Sequence, residues 1–310
     1  MPQNIAIELS SRCLEECGGV RVIDSLLKPH IRHRVAFNIY ADRMDLWDRV
    51  KPGHYELKRG MDVIDIVRML KLGIQTPVKV VFNNARGAGY LAGMISKQIE
   101  ADSLDILSAM QSSELASELK LSSEQIVSLF IPNTYELWWT ITPESLVRRM
   151  RLESDRFWTS AREESRKKLN LSRVEVITLA SIVYEETKRV DEMSRIAGVY
   201  LNRLRRGIKL QADPTVKYAI GDFSIRRVLY KHLEFDSPYN TYKYKGLPPA
   251  PISTPSIAAI DSVLKFEKHN YIYFCARPEM DGYHNFATTY SQHRINSKAF
   301  SDELDKLGIR

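Results

Sequence analysis

The period of apolar and polar positions changes several times along the chain, and each change marks an element. Around residue 55 the segment HYELK alternates, as a half-buried strand does. Just beyond it, Val63, Ile66, Val67 and Leu70 recur at helical spacing, with Asp62 where an N-cap belongs and Gly73 where a left-handed residue closes a helix. These signals predict a small α/β module over residues 1–80. Residues 81–170 are rich in helix formers and broken at Ser122, Pro132 and Pro143, which predicts several helices joined by short loops.

From Ser172 the pattern sharpens. Ser172 followed by Glu175 is a capping box ahead of the apolar run VITLASIVYEE. Asp191 or Ser194 can open a second helix, IAGVYLNRLRR, which Gly207 ends, and Asp213 with Pro214 repeats a helix-start signal. Residues 237–256, SPYNTYKYKGLPPAPISTPS, hold five prolines yet are too aromatic and apolar for a linker. A proline-stiffened, side-chain-packed loop is expected there. A helix (SIAAIDSVLKF), a hairpin (YIYFCA, then YHNFA) and a C-terminal helix complete an α+β reading.

Composition changes this picture little. With 310 residues, 44% of them hydrophobic, the chain can bury a sizeable core. A net charge of +7 favours encounter with anionic material, whether nucleic acid, a membrane surface or an acidic wall polymer. Cys13, Cys17 and Cys275 make an odd count without redox or zinc spacing and are expected to be packing residues. No stretch approaches the roughly 18 apolar residues of a membrane span, and MPQNIAIELSSR lacks the features of a signal peptide. Two readings stay open: work in the cytoplasm, or an N-terminal anchor or signal not present in this sequence.

The helix after Ser172 carries the candidate chemistry. At about 100° per residue, Val176, Leu179, Ala180, Ile182 and Val183 form a broad apolar sector, and Glu186 projects between Leu179 and Ile182. Glu185 is expected on the solvent side. A carboxyl at an apolar boundary loses solvation of its charged form, so its pKa rises and it can hold a proton near neutrality. The competing reading is an ordinary helix-end glutamate paired with Lys188 or Arg189.

The runs LASIVYEET, IAGVYLNRL, LQADPTVKYAIG, SPYNTYKYKGLPPAPISTPS and YIYFCARPEMDGYHNF, in this order and spacing, closely resemble the catalytic region of the MltG (YceG-like) family of endolytic murein transglycosylases. The likeness is strong from residue 175 and looser upstream, where KPGHYELKRGMDVIDIVRMLKLG resembles a LysM-like module and FIPNTYEL the segment before the catalytic domain. It departs from the family pattern at Asn133, where an Asp is common, and at residues 83–89, NNARGAG.

The resemblance implies a LysM-like module at 1–80, a helical connecting region at 81–170 and a catalytic domain at 171–310. It places the catalytic glutamate on Glu186. Several relatives carry another glutamate two positions earlier, where this chain has Tyr184. It further implies cleavage of the MurNAc–GlcNAc bond to leave 1,6-anhydro ends, with no metal or organic cofactor, and substrate contacts from Gln211, Asp213, Asn240, Thr241 and Tyr242. Asp213 can equally be a cap ahead of Pro214, and Asn202 a structural residue. His284 and His293, lacking metal-ligand spacing, read as structural or surface residues.

Peptidoglycan strands are then the substrate, peptidoglycan synthases and an anchored position outside the cell membrane accompany it, and strand termination is the expected outcome. Two rivals remain. A non-catalytic LysM-like wall-binding protein would give no anhydro ends. A nucleic-acid binder, suggested by the net charge and by Arg203, Arg205 and Arg206, would bind random DNA with steep salt dependence. The adjacent tryptophans Trp138 and Trp139, as a sugar-stacking pair, add a lesser candidate.

Overall fold

The computed structural model describes residues 4–27, 29–225 and 227–306. The elements run β1 (Ile5–Leu9), α1 (Ser11–Cys17), α2 (Gly19–Leu27), α3 (Arg34–Arg43), α4 (Leu46–Arg49), β2 (Gly53–Leu57), α5 (Val63–Leu72) and β3 (Val78–Phe82). Next come α6 (Ala88–Ile95), α7 (Ser103–Met110), α8 (Ser113–Leu119), a 3₁₀ turn (Ser123–Leu129), β4 (Asn133–Leu137), α9 (Pro143–Phe157) and α10 (Ser160–Leu169). The last part holds α11 (Arg173–Glu186), α12 (Val190–Arg205), α13 (Asp213–Ile220), α14 (Tyr230–Leu233), α15 (Ile257–Leu264), β5 (Tyr273–Ala276), β6 (His284–Ala287) and α16 (Tyr290–Lys306). Helices dominate, and the described strands form three antiparallel pairs, so the fold is α+β. No helix among the described residues is long and apolar enough to cross a membrane.

Two compact units divide the chain. The first gathers Met1–Phe82, Ala92–Leu107 and Asn133–Leu146. Its β1–β2 ladder runs from Ile5 opposite Leu57 to Leu9 opposite Gly53. With side chains alternating across the ladder, Ile7, Leu9, Tyr55 and Leu57 point into a core completed by Ile23, Leu27, Phe37, Ile66, Val67 and Leu70. The α5 signals act as expected: Asp62 accepts from the Ile64 amide, and Gly73 adopts the left-handed conformation. A grouping that is not contiguous arises because β3 finds its partner in β4, with Val78 opposite Leu137 and Phe82 opposite Asn133. Asn133–Leu137, which helix propensity does not mark as a strand, is thereby drawn into the first unit. Trp138 is exposed and Trp139 buried there.

The second unit comprises Asn83–Leu91, Ser108–Pro132 and Val147–Arg310. Its core is α11 packed on α12 and α15, through Val176, Leu179, Ile182 and Val183 on the first, Met193, Ile196 and Tyr200 on the second, and Ile260 and Val263 on the third. The capping box of Ser172 and Glu175 forms in full. Helix α12 starts at Val190, ahead of either expected start, with Asp191 and Glu192 in its first turn, where acidic groups favour the helix dipole. Gly198 lets a neighbouring segment pass: a Cβ there would lie 2.5 Å from the Glu267 carbonyl oxygen. Of the cysteines expected to pack, Cys13 is exposed, which corrects that expectation. Cys275 is half-buried, which pushes its thiol pKa up, and the Cys17 side chain lies outside the described residues.

The proline-rich segment 237–256 is an irregular loop tied down by buried polar side chains. Asn240, with no exposed surface, donates to the carbonyls of Leu233 (2.9 Å) and Phe235 (2.7 Å) and accepts from the Tyr242 amide (3.0 Å). Thr241 Oγ1 accepts from the Ala212 amide at 3.0 Å and lies 2.8 Å from Thr215 Oγ1. At its far end, Ser181 Oγ accepts from the Ile252 amide. Asn240→Ala removes three hydrogen bonds of a fully buried side chain, each worth about 0.5–1 kcal/mol net. It is expected to lower stability by about 2 kcal/mol in denaturant unfolding, more than the usual surface substitution.

Candidate active site

Glu186 is the last residue of α11 and lines a groove of about 760 Å³ in the second unit. The groove is walled by α12 (Tyr200, Arg203), the turn into α13 (Gln211, Asp213), the segment around Leu229 and Tyr230, Tyr242, the β5–β6 hairpin (Phe274, His284) and α16 (Tyr290, His293). Its volume is in the range of ligand-binding clefts.

Burial pushes the Glu186 pKa up to about 7. The Asp213 and Glu185 charges push it further, while a hydrogen bond from Tyr200 and the charge of Lys217 oppose the shift. The Tyr200 hydroxyl donates to Glu186 Oε1 at 2.6 Å, and its ring meets Phe274 edge-on. Neither basic neighbour pairs with Glu186: Lys188 donates to the Tyr184 carbonyl and Arg189 to that of Asp281. Tyr200 lies within the IAGVYLNRL run but sequence periodicity marks it only as a core position, since its apolar ring fits that pattern and its hydroxyl does not register.

A donor that favours the carboxylate form holds the pKa down. Tyr200→Phe is therefore expected to move the alkaline limb of the pH–rate profile to higher pH and to cut the rate at pH 7 roughly tenfold, the scale of one hydrogen bond to a charged group. A profile unchanged in position would refute this role for Tyr200.

The raised pKa also has a stability consequence. Unfolded, Glu186 ionises near its ordinary 4.5; folded, it keeps its proton to about 7. Between those values the native state binds the extra proton, so its stabilisation is present below pH 4.5 and lost as pH rises through 7. Glutamine mimics the protonated form at every pH. Glu186→Gln is thus expected to melt higher than the parent at pH 8, by up to about 3 kcal/mol, with the gap closing toward pH 4.5.

The other expected site residues separate into two groups. Gln211, Asp213 and Tyr242 line the groove. Asp213 is the first residue of α13, with Ala212 at the cap, so its side chain is no cap: it accepts from the Tyr242 hydroxyl at 2.6 Å. Gln211 takes a left-handed backbone, φ 52°, and its Oε1 accepts from Arg203 at 3.3 Å. Asn240 and Thr241 are corrections. Both are buried with their hydrogen bonds spent on the loop and on α13, so they hold Tyr242 and Gln211 in place instead of facing the groove.

Glu185 is a further correction. Its side chain is only 14% exposed, 3.8 Å from Arg86 Nε, because residues 83–91 fold against the end of α11. Asn202 is structural, donating to the carbonyls of His269 and Tyr271. Arg203 is no part of a basic patch: it is 8% exposed and donates to the carbonyls of Ile272, Lys209 and Leu210. His284 Nδ1 lies 2.7 Å from buried Glu192, and the His293 ring stacks on Tyr273, where burial and Arg203 lower its pKa. Exposed Tyr230 and Tyr290 offer aromatic faces along the groove, positions that no sequence motif singled out.

The site thus sets one carboxylic acid of raised pKa at the wall of a polar groove in an α+β unit. The chain belongs to the YceG-like family, whose model matches residues 17–299. It is similar to the endolytic murein transglycosylase of Bacillus subtilis (strain 168), at 28% identity over 93% of this chain and 84% of that protein. The proteins of the same name from Streptococcus pneumoniae strains D39 and R6 are 28% identical over 79% of this chain, which spans about half (50%) of their length. The crystal structure of a YceG-like protein from Listeria monocytogenes superposes with a TM-score of 0.62 at 27% identity, covering 95% of this chain and 99% of that one.

Proposed function

We propose that the chain is a peptidoglycan lytic transglycosylase that cuts the MurNAc–GlcNAc bond within glycan strands, with Glu186 as its acid and base. The observation that carries this reading is the Glu186 carboxyl at the wall of the groove, bonded by the Tyr200 hydroxyl, with its pKa pushed up to about 7 by burial. The names of the relatives agree with it.

Hydrolytic glycosidases place two carboxylates about the scissile bond; this route needs one. Glu186 gives its proton to the glycosidic oxygen as the C1–O bond breaks. The acetamido oxygen of the same MurNAc bonds to C1 and takes up the positive charge. The Glu186 carboxylate then removes the C6 hydroxyl proton as that oxygen attacks C1 and displaces the acetamido group. Glu186 ends protonated, as it began, and no water is consumed. Tyr200 steadies the carboxylate between the two steps, and the Asp213 charge helps Glu186 regain its proton. Gln211, Tyr242, Tyr230 and Tyr290 are the groups available for sugar hydroxyls and ring faces.

In the cell the activity would end nascent strands at the outer face of the cell membrane, beside peptidoglycan synthases, with the first unit as a LysM-like wall-binding module. Mass analysis of purified strands after incubation tests the chemistry. The expected products end in 1,6-anhydro-MurNAc, one water lighter than reducing ends. Reducing ends instead would make Asp213 the base of a hydrolase, and intact strands would leave a wall-binding protein.

A further inference from the structure

Beside the α11 terminus lies a second, smaller cavity of about 140 Å³, lined by Arg86, Glu185, Pro214, Lys217, Tyr218 and Phe223 among others. It shares no lining residue with the groove, yet adjoins it through the chain: Glu185 precedes Glu186, and Pro214 follows Asp213. At well under the ~300 Å³ of a typical small-molecule cleft, it has room for a small amino-acid residue and not for a disaccharide.

Its chemistry is mixed in sign. Arg86 lies 3.8 Å from Glu185 Oε2, too far for a hydrogen bond, and Lys188 Nζ is 3.8 Å from Oε1. Glu185 Oε1 is buried and has no hydrogen-bond partner among the described residues. A buried carboxylate oxygen left unpaired costs free energy, which a ligand N–H would recover. Arg86 and Lys217 exceed the single Glu185 charge among the lining groups, so a ligand anion is accommodated too. Tyr218 and Phe223 supply apolar walls, their rings 6.5 Å apart edge-on, with the Arg86 guanidinium 5.3 Å from the Phe223 centroid.

A ligand with amide N–H groups, a carboxylate and small apolar side chains is a peptide segment. We infer that this cavity is a subsite for the peptide stem carried on the lactyl group of MurNAc: a stem N–H to Glu185, a stem carboxylate to Arg86 and Lys217, and small side chains against Tyr218 and Phe223. This rests on the proposed function, because the stem hangs from the very sugar whose bond Glu186 cuts. A stem of four or five residues, at up to about 3.5 Å each, can span the first turn of α13 from groove to cavity. The subsite makes the enzyme selective for strands that still bear stems.

The test compares kcat/KM on stem-bearing strands with that on strands stripped by an amidase, for the parent and for the double variant Arg86→Met, Lys217→Met. The expected parent ratio is about 10 in favour of stem-bearing strands, falling to about 1 in the variant, which keeps the parent's circular-dichroism spectrum. A parent ratio near 1, or a ratio the variant retains, overturns the inference while leaving the transglycosylase reading intact. If neither substrate is cut by the parent, the proposed function fails. The subsite is then decided by NMR titration of the protein with a free stem pentapeptide: shifts confined to Tyr218, Phe223 and their neighbours, and absent in the double variant, uphold the subsite, and their absence in the parent overturns it.

Discussion

Glu186→Gln is expected to lower the rate of anhydro-end formation at least about 1,000-fold. Acid–base catalysis by a placed side chain contributes roughly 10²–10⁴, and here one carboxyl serves both proton transfers, so the upper part of that range applies. The substitution is nearly isosteric. The glutamine carbonyl can still accept from Tyr200, whose hydroxyl lies 2.6 Å from Oε1 in the parent, so the groove keeps its shape. What is lost is the proton. Because the variant is also expected to be the more stable protein above pH 7, inactivity cannot be ascribed to unfolding. Retention of more than about a tenth of the parental rate would sink the assignment of Glu186.

Arg203→Met is expected to cost about 4 kcal/mol of stability, seen as a fall of roughly 10 °C in the melting of the second unit. The guanidinium is nearly buried and serves three carbonyls, those of Ile272, Lys209 and Leu210, together with Gln211 Oε1. Methionine fills much of the volume but returns no donor, and each buried acceptor left bare costs about 1–3 kcal/mol. Burial lowers the Arg203 pKa, yet guanidinium stays charged across the working pH range, so the loss should be nearly independent of pH. A loss below about 1 kcal/mol would show that water replaces these bonds and that Arg203 is a surface residue after all. Since Arg203 also holds Gln211 in its left-handed turn, activity at permissive temperature is expected to fall as well.

The pattern of side chains along the chain decides local structure where local forces suffice. Asp62 and Gly73 bound α5, and Ser172 with Glu175 starts α11, because caps satisfy backbone groups within a turn of themselves. The angular position of Glu186 on α11 follows from helical geometry alone, and with it the prospect of a raised pKa. Its neighbour shows the limit. Glu185 was expected in solvent because a wheel sees only its own helix, whereas Arg86 comes from residues nearly 100 positions away.

Tertiary structure decided the rest, for one reason: a polar side chain can spend its hydrogen bonds only once. Asn240 and Thr241 have the chemistry to bind a sugar, but buried in the loop they are consumed by Leu233, Phe235 and Ala212, while Tyr242 and Gln211 beside them reach the groove. Arg203, one of a basic cluster in sequence, is consumed by carbonyls in the same way. Tyr200 runs the other way, apolar by pattern yet placed with its hydroxyl on Glu186. Caps and helical periods along the chain thus sufficed for α5, α11 and the direction of Glu186, whereas which polar groups line the groove depends on partners distant in sequence and so on the folded chain.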